Sequence, residues 1–288
     1  WLVKHLRPAS FLPYKLEREC HTHDLWVFEG FTTYYENVLP FRAGVLDEDK
    51  LLSRTSARFN RVREREGFHV ESLSDASFNA WTHLYKQTPD SAYCQASYYG
   101  KGAVLAFMLD AALRKAGFSL DEVLKTWFHE ALADPQARSL PDGGFFERIP
   151  VASIAERFKK LVTSSDRTLW ENEWRCALST LGMSEEADKN TPASRMHLGL
   201  QLDGLRVRYA ESRGSAYAAG LFAGDEIIAV NGLRADAATI ERMITQAKGS
   251  TLHIHYFREH LLRSAEIEVP VNPLPQPGTL KIKSPTEF

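Results

Sequence analysis

Apolar positions recur with helical spacing along the first part of the chain and with strand spacing along the rest. From Leu25 to about Val38, the positions Leu25, Phe28, Thr32 and Tyr35 fall on one helical face, and Thr22 or Asp24 can cap its start. The preceding "SFLPYKLERECHT" reads as an extended loop, because Pro8 and Pro13 prevent a regular helix. "TSARFNRVREREGF" is charged and reads as a solvated helix face or loop. "SLSDASFNAWTHLY" regains helical spacing, with Phe78, Trp81 and Tyr85 expected to face inward. "SYYGKGAVLAFMLDAALRKAG" is apolar on nearly all sides from Val104 to Leu113, the pattern of a buried helix ending at Gly117. Ser119 and Glu122 form a capping box for the next helix, with Val123, Leu124, Trp127 and Leu132 expected inside. "VASIAERFKKLV" and "LWENEWRCALSTLG" add two shorter helices.

The texture changes at "SEEADKNTPASR", a polar linker carrying Pro192. Beyond it come short strands: "HLGLQL", "RVRYAE", "DEIIAVNG", "TLHIHYFR" and "AEIEVPV". The expected organisation is a helical domain over 1–185, a linker over 186–194, a strand-rich domain over 195–271 and a proline-rich, extended tail over 272–288.

Composition narrows the function classes. With 35 basic against 37 acidic residues in 288, the net charge is -2, which argues against a nucleic-acid footprint or a polybasic membrane patch. No apolar run approaches the roughly 18–20 residues that a membrane span needs. Cys20, Cys94 and Cys176 are odd in number and far apart, so unpaired thiols are expected. The chain opens on Trp1 with no signal-peptide pattern and reads as a piece of something longer.

"GSAYAAGLFAGDEIIAVNG", Gly214 to Gly232, strongly resembles the signature of a PDZ domain. A short helix over Ala216 to Ala219 would end at Gly220, and Asn231-Gly232 would turn the chain out of a strand. Upstream, Leu198, Gly199 and Leu200 resemble the loop that receives a peptide's terminal carboxylate in such domains, next to a strand edge that accepts a peptide strand. The resemblance therefore implies binding of peptide C-termini. The flanking helix, about Ala237 to Ala247, begins with Ala, Thr and Ile rather than histidine, so selectivity for a Ser/Thr-containing C-terminus is not indicated.

In "LWVFEGFTTYY", a single acidic residue, Glu29, stands among large aromatic side chains. A carboxylate in such surroundings is costly unless something positive holds it. "WLVKHLRP", "LWVFEGFTTYY", "SFNAWTHLY" and "SYYGKGAVLAFMLDAALR", in this order, resemble the glycyl aminopeptidases, zinc metallopeptidases of the gluzincin group with a C-terminal PDZ domain. The resemblance implies a multidomain α plus β chain: the mainly helical C-terminal part of a gluzincin, thermolysin-like catalytic domain, then a PDZ β-barrel-like domain. It implies that Glu29 is a Zn²⁺ ligand. It also implies that Tyr99, just before the K-G step, donates a hydrogen bond to the oxyanion of the tetrahedral intermediate. Tyr98 is its neighbour of interest. Peptide substrates with N-terminal Gly or Ala are implied by the family alone.

The chain departs from the family in lacking H-E-x-x-H. In the family that motif lies immediately upstream of the tryptophan matching Trp1, so two zinc-binding histidines and the general base are expected in the parent. This chain alone is expected to be inactive. "HEALA" at His129 to Ala133 lacks the second histidine, "HTH" at His21 and His23 lies in a loop, and "HIH" at His253 and His255 lies on one face of a strand. A catalytically inert gluzincin scaffold that binds peptides or proteins through its PDZ groove is the alternative of a different class; a zinc endopeptidase is a third.

Overall fold

Two units divide the chain: Trp1–Gln87, Cys94–Glu186 and Thr279–Phe288 form the first, and Thr88–Tyr93 and Ala187–Gly278 the second. The computed structural model describes residue 2, residues 4–276 and residues 278–283. Trp1, which carries part of the resemblance, lies outside them.

In the first unit, β1 (Arg7–Pro8) pairs in parallel with β2 (Ser139–Leu140). Its helices are α1 (Phe31–Arg42), α2 (Glu48–Arg63), α3 (Leu73–Phe78), α5 (Tyr98–Lys115), α6 (Leu120–Ala133), α7 (Ala152–Val162) and α8 (Arg167–Thr180), while the single turn α4 (Ser91–Cys94) falls almost wholly in the second unit. The axis is α5, in which every residue from Gly100 to Ala111 is buried. Its one acidic residue, Asp110, is satisfied three times over. It accepts from Tyr34 Oη at 2.9 Å, Arg114 Nε at 3.0 Å and Leu120 N at 2.9 Å, as a buried carboxylate requires. Gly117 leaves the helix at φ 82°, and the Ser119–Glu122 box forms, with Glu122 N donating to Ser119 Oγ at 3.2 Å.

Three expectations about which faces are buried need correcting. A π-helical turn, Trp26–Gly30, leads into α1. Its wider turn shifts the buried stripe to Trp26, Val27, Phe28, Phe31 and Tyr34, while Thr32 is exposed and closes on Phe28 O through its hydroxyl at 2.6 Å. Helix α3 stops at Phe78, after which overlapping turns swing Phe78, Trp81 and Tyr85 outward, at 40%, 42% and 62% exposure. On α6, Ala131 rather than Leu132 continues the buried stripe. Most of the charged segment lies in α2, where Phe59 and, ahead of the segment, Leu51 and Leu52 are buried, and the guanidinium of Arg63 sits 4.1 Å from the Trp174 ring centre while pairing with Glu171 and Glu185.

The second unit is built on an open sheet, not a closed barrel. Its strands are β4 (Leu200–Asp203), β5 (Arg206–Ala210), β6 (Glu226–Val230), β7 (Leu233–Arg234), β8 (Thr251–Arg258) and β9 (Leu261–Glu268). They run in the order β4-β5-β6-β8-β9, with β7 on β6. The short helix α9 (Ser215–Ala218) and α10 (Ala237–Gln246) complete it. Val207, Ile227, Ile240, Ile244 and Leu252 lie at its core. Asn231 and Gly232, at φ 49° and 76°, make the two-residue turn between β6 and β7 that an Asn-Gly pair favours. Tyr93 belongs to this unit. Its ring stacks on Tyr209 at 5.0 Å, and its hydroxyl donates to Ala210 O at 2.8 Å and accepts from Ala210 N at 3.3 Å. The chain then returns to the first unit, where β10 (Thr279–Ile282), inside the stretch read as tail, pairs antiparallel with β3 (Met183–Glu186).

Candidate active site

Glu29 is placed by backbone contact between two helices. Gly30 meets Gly102 so closely that a Cβ on Gly30 would lie 2.6 Å from Gly102 Cα. Glu29 precedes one of these glycines, and Tyr99 stands one turn before the other. The π-helical turn is itself a common device at functional positions. Here it presents Glu29 as half-buried between buried Phe28 and Gly30. At the other side, Ser97 caps α5 by accepting from Gly100 N at 3.4 Å, so Tyr98 and Tyr99 occupy the first turn at the positive end of the helix.

The structure thus brings the two sequence-predicted residues together. Burial raises the Glu29 carboxyl above its usual range, and a hydrogen bond from the Tyr99 side chain opposes the rise. Among the described residues, no lysine, arginine or histidine forms an ion pair with Glu29. Burial also pushes Tyr99 up to about 12, with the Tyr98 hydroxyl working against the shift and the Glu29 charge adding to it. Tyr99 therefore stays a protonated donor at neutral pH. Tyr98 is buried and stacks on Tyr99 at 4.7 Å, and its hydroxyl lies 3.3 Å from that of Tyr85.

A half-desolvated carboxylate without a cationic neighbour fits one ligand of a divalent metal. The described residues hold no group of three His, Cys, Asp or Glu that could complete such a site. His129 and Glu130 are exposed, and Glu130 pairs with Arg148. His21 and His23 lean on Phe78, at ring distances of 5.0 and 4.6 Å. His253 lies 3.5 Å from Glu266 across the sheet. In the second unit, Gly199 takes a left-handed turn (φ 74°) from a π-helical segment, Ser194–Leu198, into β4. Its N–H donates to Arg195 O at 3.2 Å, so of the predicted trio this amide is not turned outward.

Two supports of the site go beyond the sequence reading, in which Asp24 is only a candidate helix cap; no side chain caps that turn. Lys101 is fully buried and donates to Phe68 O at 2.5 Å and Glu71 O at 2.7 Å, 4.7 Å from the ring centres of Phe68 and Trp170. Burial pulls its ammonium down to about 7. Asp24 is buried and accepts from Gly143 N at 2.7 Å, and burial lifts its carboxyl to about 6, with Asp142 adding to the rise. Thr22 Oγ1 donates to Asp142 at 2.7 Å, so the turn around Gly143 and the start of the Glu29 segment are fastened at two points. Only the glycines flanking Lys101 hint at its burial.

Residues 1–105 match the M61 glycyl aminopeptidase family. The chain is also similar over 99% of its length to the crystal structure of an aminopeptidase N family protein from Idiomarina loihiensis, with 28% identity and a TM-score of 0.83. The chain covers 51% of that relative, about half its length. No curated protein sequence matches it. Both Glu29 and Tyr99 lie within the segment that matches the M61 family. Among the described residues, no helix is long and apolar enough to cross a membrane.

Proposed function

We propose that the whole protein carrying this chain is a zinc-dependent aminopeptidase that removes N-terminal residues, with Gly and Ala preferred, from peptides. The observation that carries this reading is the half-buried carboxylate of Glu29, with no ion-pair partner among the described residues, held against Tyr99 where two helices meet at glycine. Glu29 would be one zinc ligand, and the remaining ligands would come from outside this chain. Zinc held there supplies polarisation of the scissile carbonyl and a water nucleophile active near neutral pH.

This chain's own side chains would contribute the oxyanion donor. Tyr99 donates its hydroxyl proton in a hydrogen bond to the oxygen that gains charge as the scissile carbonyl is attacked. That donor is in place beforehand, because Tyr98 stacks behind it and Ser97 caps the helix that carries it. A fixed donor in a partly desolvated site stabilises developing charge without reorganisation. The second unit is read as a PDZ-type module that takes peptide C-termini at Leu198–Leu200 and along the β4 edge. Its sheet order, the Asn231-Gly232 turn and the left-handed Gly199 support that reading.

Glu29→Ala in the whole protein tests the proposal. Zinc content by elemental analysis and release of glycine and alanine from chromogenic amides should both fall to background. Retained stoichiometric zinc with full activity would overturn it.

A further inference from the structure

Phe78, Trp81 and Tyr85 form an exposed aromatic strip where the chain has no need of one for its core. Large aromatic rings standing in water are costly unless something covers them, and Tyr and Trp suit surfaces where one end is wet and the other bound. What distinguishes these rings is that their polar ends are tied down from behind. Trp81 Nε1 donates to Cys20 O at 3.0 Å, and the Tyr85 hydroxyl lies 3.3 Å from that of Tyr98. The Trp81 and Tyr85 ring centres are 6.0 Å apart. Phe78 is held by His23, stacked on it at 4.6 Å with an interplanar angle of 17°, while His21 Nδ1 donates to Phe78 O at 2.9 Å. With the handles fixed, the ring faces are left for another molecule.

Both ends of the strip lead to the candidate site. Cys20, His21 and His23 belong to the loop that runs into the Glu29 turn. At the other end, Tyr85 meets Tyr98, which stacks on Tyr99. An aminopeptidase has a single residue on the amine side of the bond it cuts. An open strip several residues long therefore suits the leaving peptide, beyond that bond.

Resting on the zinc aminopeptidase reading, we infer that Trp81 and Tyr85 form a platform that binds an apolar or aromatic side chain of the substrate on the leaving-peptide side. The platform would make this protein select peptides by their second residue as well as by their first.

The experiment is steady-state hydrolysis of Gly-Phe, Gly-Leu and Gly-Ser dipeptide amides by the whole zinc-loaded protein, wild type and Trp81→Ala. The wild type should favour Gly-Phe over Gly-Ser in kcat/KM, and Trp81→Ala should cut that ratio about tenfold, mainly through KM. Trp81→Lys, at a position 42% exposed, should lower the same ratio. Far-UV circular dichroism and zinc content confirm that each variant is folded and loaded. If the wild type cleaves these substrates with a ratio that neither variant changes, the platform is overturned and the aminopeptidase reading stands. If the zinc-loaded wild type releases glycine from none of them, the aminopeptidase reading itself fails.

Discussion

Gly30 and Gly102 meet backbone to backbone, each standing where the other's side chain would be. A Cβ on Gly102 would come within 2.9 Å of Gly30 Cα, and one on Gly30 would come closer still. This contact sets the separation of the Glu29 turn and the Tyr99 helix, so the site depends on two residues that carry no functional group. Gly102→Ala should cost about 1–3 kcal/mol, as overpacking does in a tight core. Urea denaturation of the chain reads this directly, and an unchanged midpoint would mean that the helices part freely.

Tyr99→Phe removes one hydroxyl and leaves the stack on Tyr98. In the whole protein, kcat should fall about 10²–10³-fold, the loss seen when a fixed oxyanion donor is removed. KM and zinc content should hold. A kcat close to wild type would show that the charge is stabilised elsewhere.

Lys101 makes stability depend on pH on the alkaline side. Its ordinary value is 10.5, and burial brings it to about 7 in the folded chain. Between those values the unfolded chain holds a proton that the folded chain has released, so folded stability rises with pH across that window. Lys101→Met removes the titration. The stability difference, wild type minus variant, should therefore grow from pH 7 to 10 in denaturant titrations; a constant difference would contradict the burial of a charged amine.

Asp24 works in the opposite direction at lower pH. Its carboxyl moves from 3.8 to about 6 on folding. Between these values the folded chain keeps a proton that the unfolded chain has lost, and stability falls as pH rises. Asp24→Asn keeps an acceptor for Gly143 N without the buried charge. At pH 7 the variant should be more stable, on the order of 1 kcal/mol, with the gain vanishing near pH 3.5. A less stable variant at neutral pH would mean that the charge is needed by Gly143 and His23.

Tyr93→Phe leaves both backbone groups of Ala210 without their partner. Loss of about 1–3 kcal/mol is expected for the second unit. Amide exchange at Ala210 should speed up, and slow exchange in the variant would count against this role.

Local chemistry made much of this legible in advance. The apolar run of α5, the Ser119–Glu122 box and the Asn231-Gly232 turn each depend on residues within a few positions of one another. Glu29 stood out as a lone carboxylate among aromatics, whereas its metal role and the choice of Tyr99 came only from the family resemblance. The π-helical turn was not legible, since its extra residue per turn leaves no mark in apolar spacing. Trp81 and Tyr85 were misplaced because helical spacing continues past Phe78, where the backbone does not. Pairings such as β3 with β10, and Tyr93 with Ala210, join positions about a hundred residues apart, and no window along the chain contains both partners.

Tyr93 also bears on how this protein can be taken apart. The strand-rich unit looks separable at the polar linker, yet residues 187–278 expressed alone would leave behind the six residues from Thr88 to Tyr93 that complete it. The second unit is discontinuous, stitched by a strap that in sequence lies between Tyr85 and Tyr98. Any dissection that cuts at the linker would therefore yield a module without the tyrosine that packs on Tyr209 and bonds the Ala210 backbone, and a weak or insoluble fragment would say nothing about what the intact module binds.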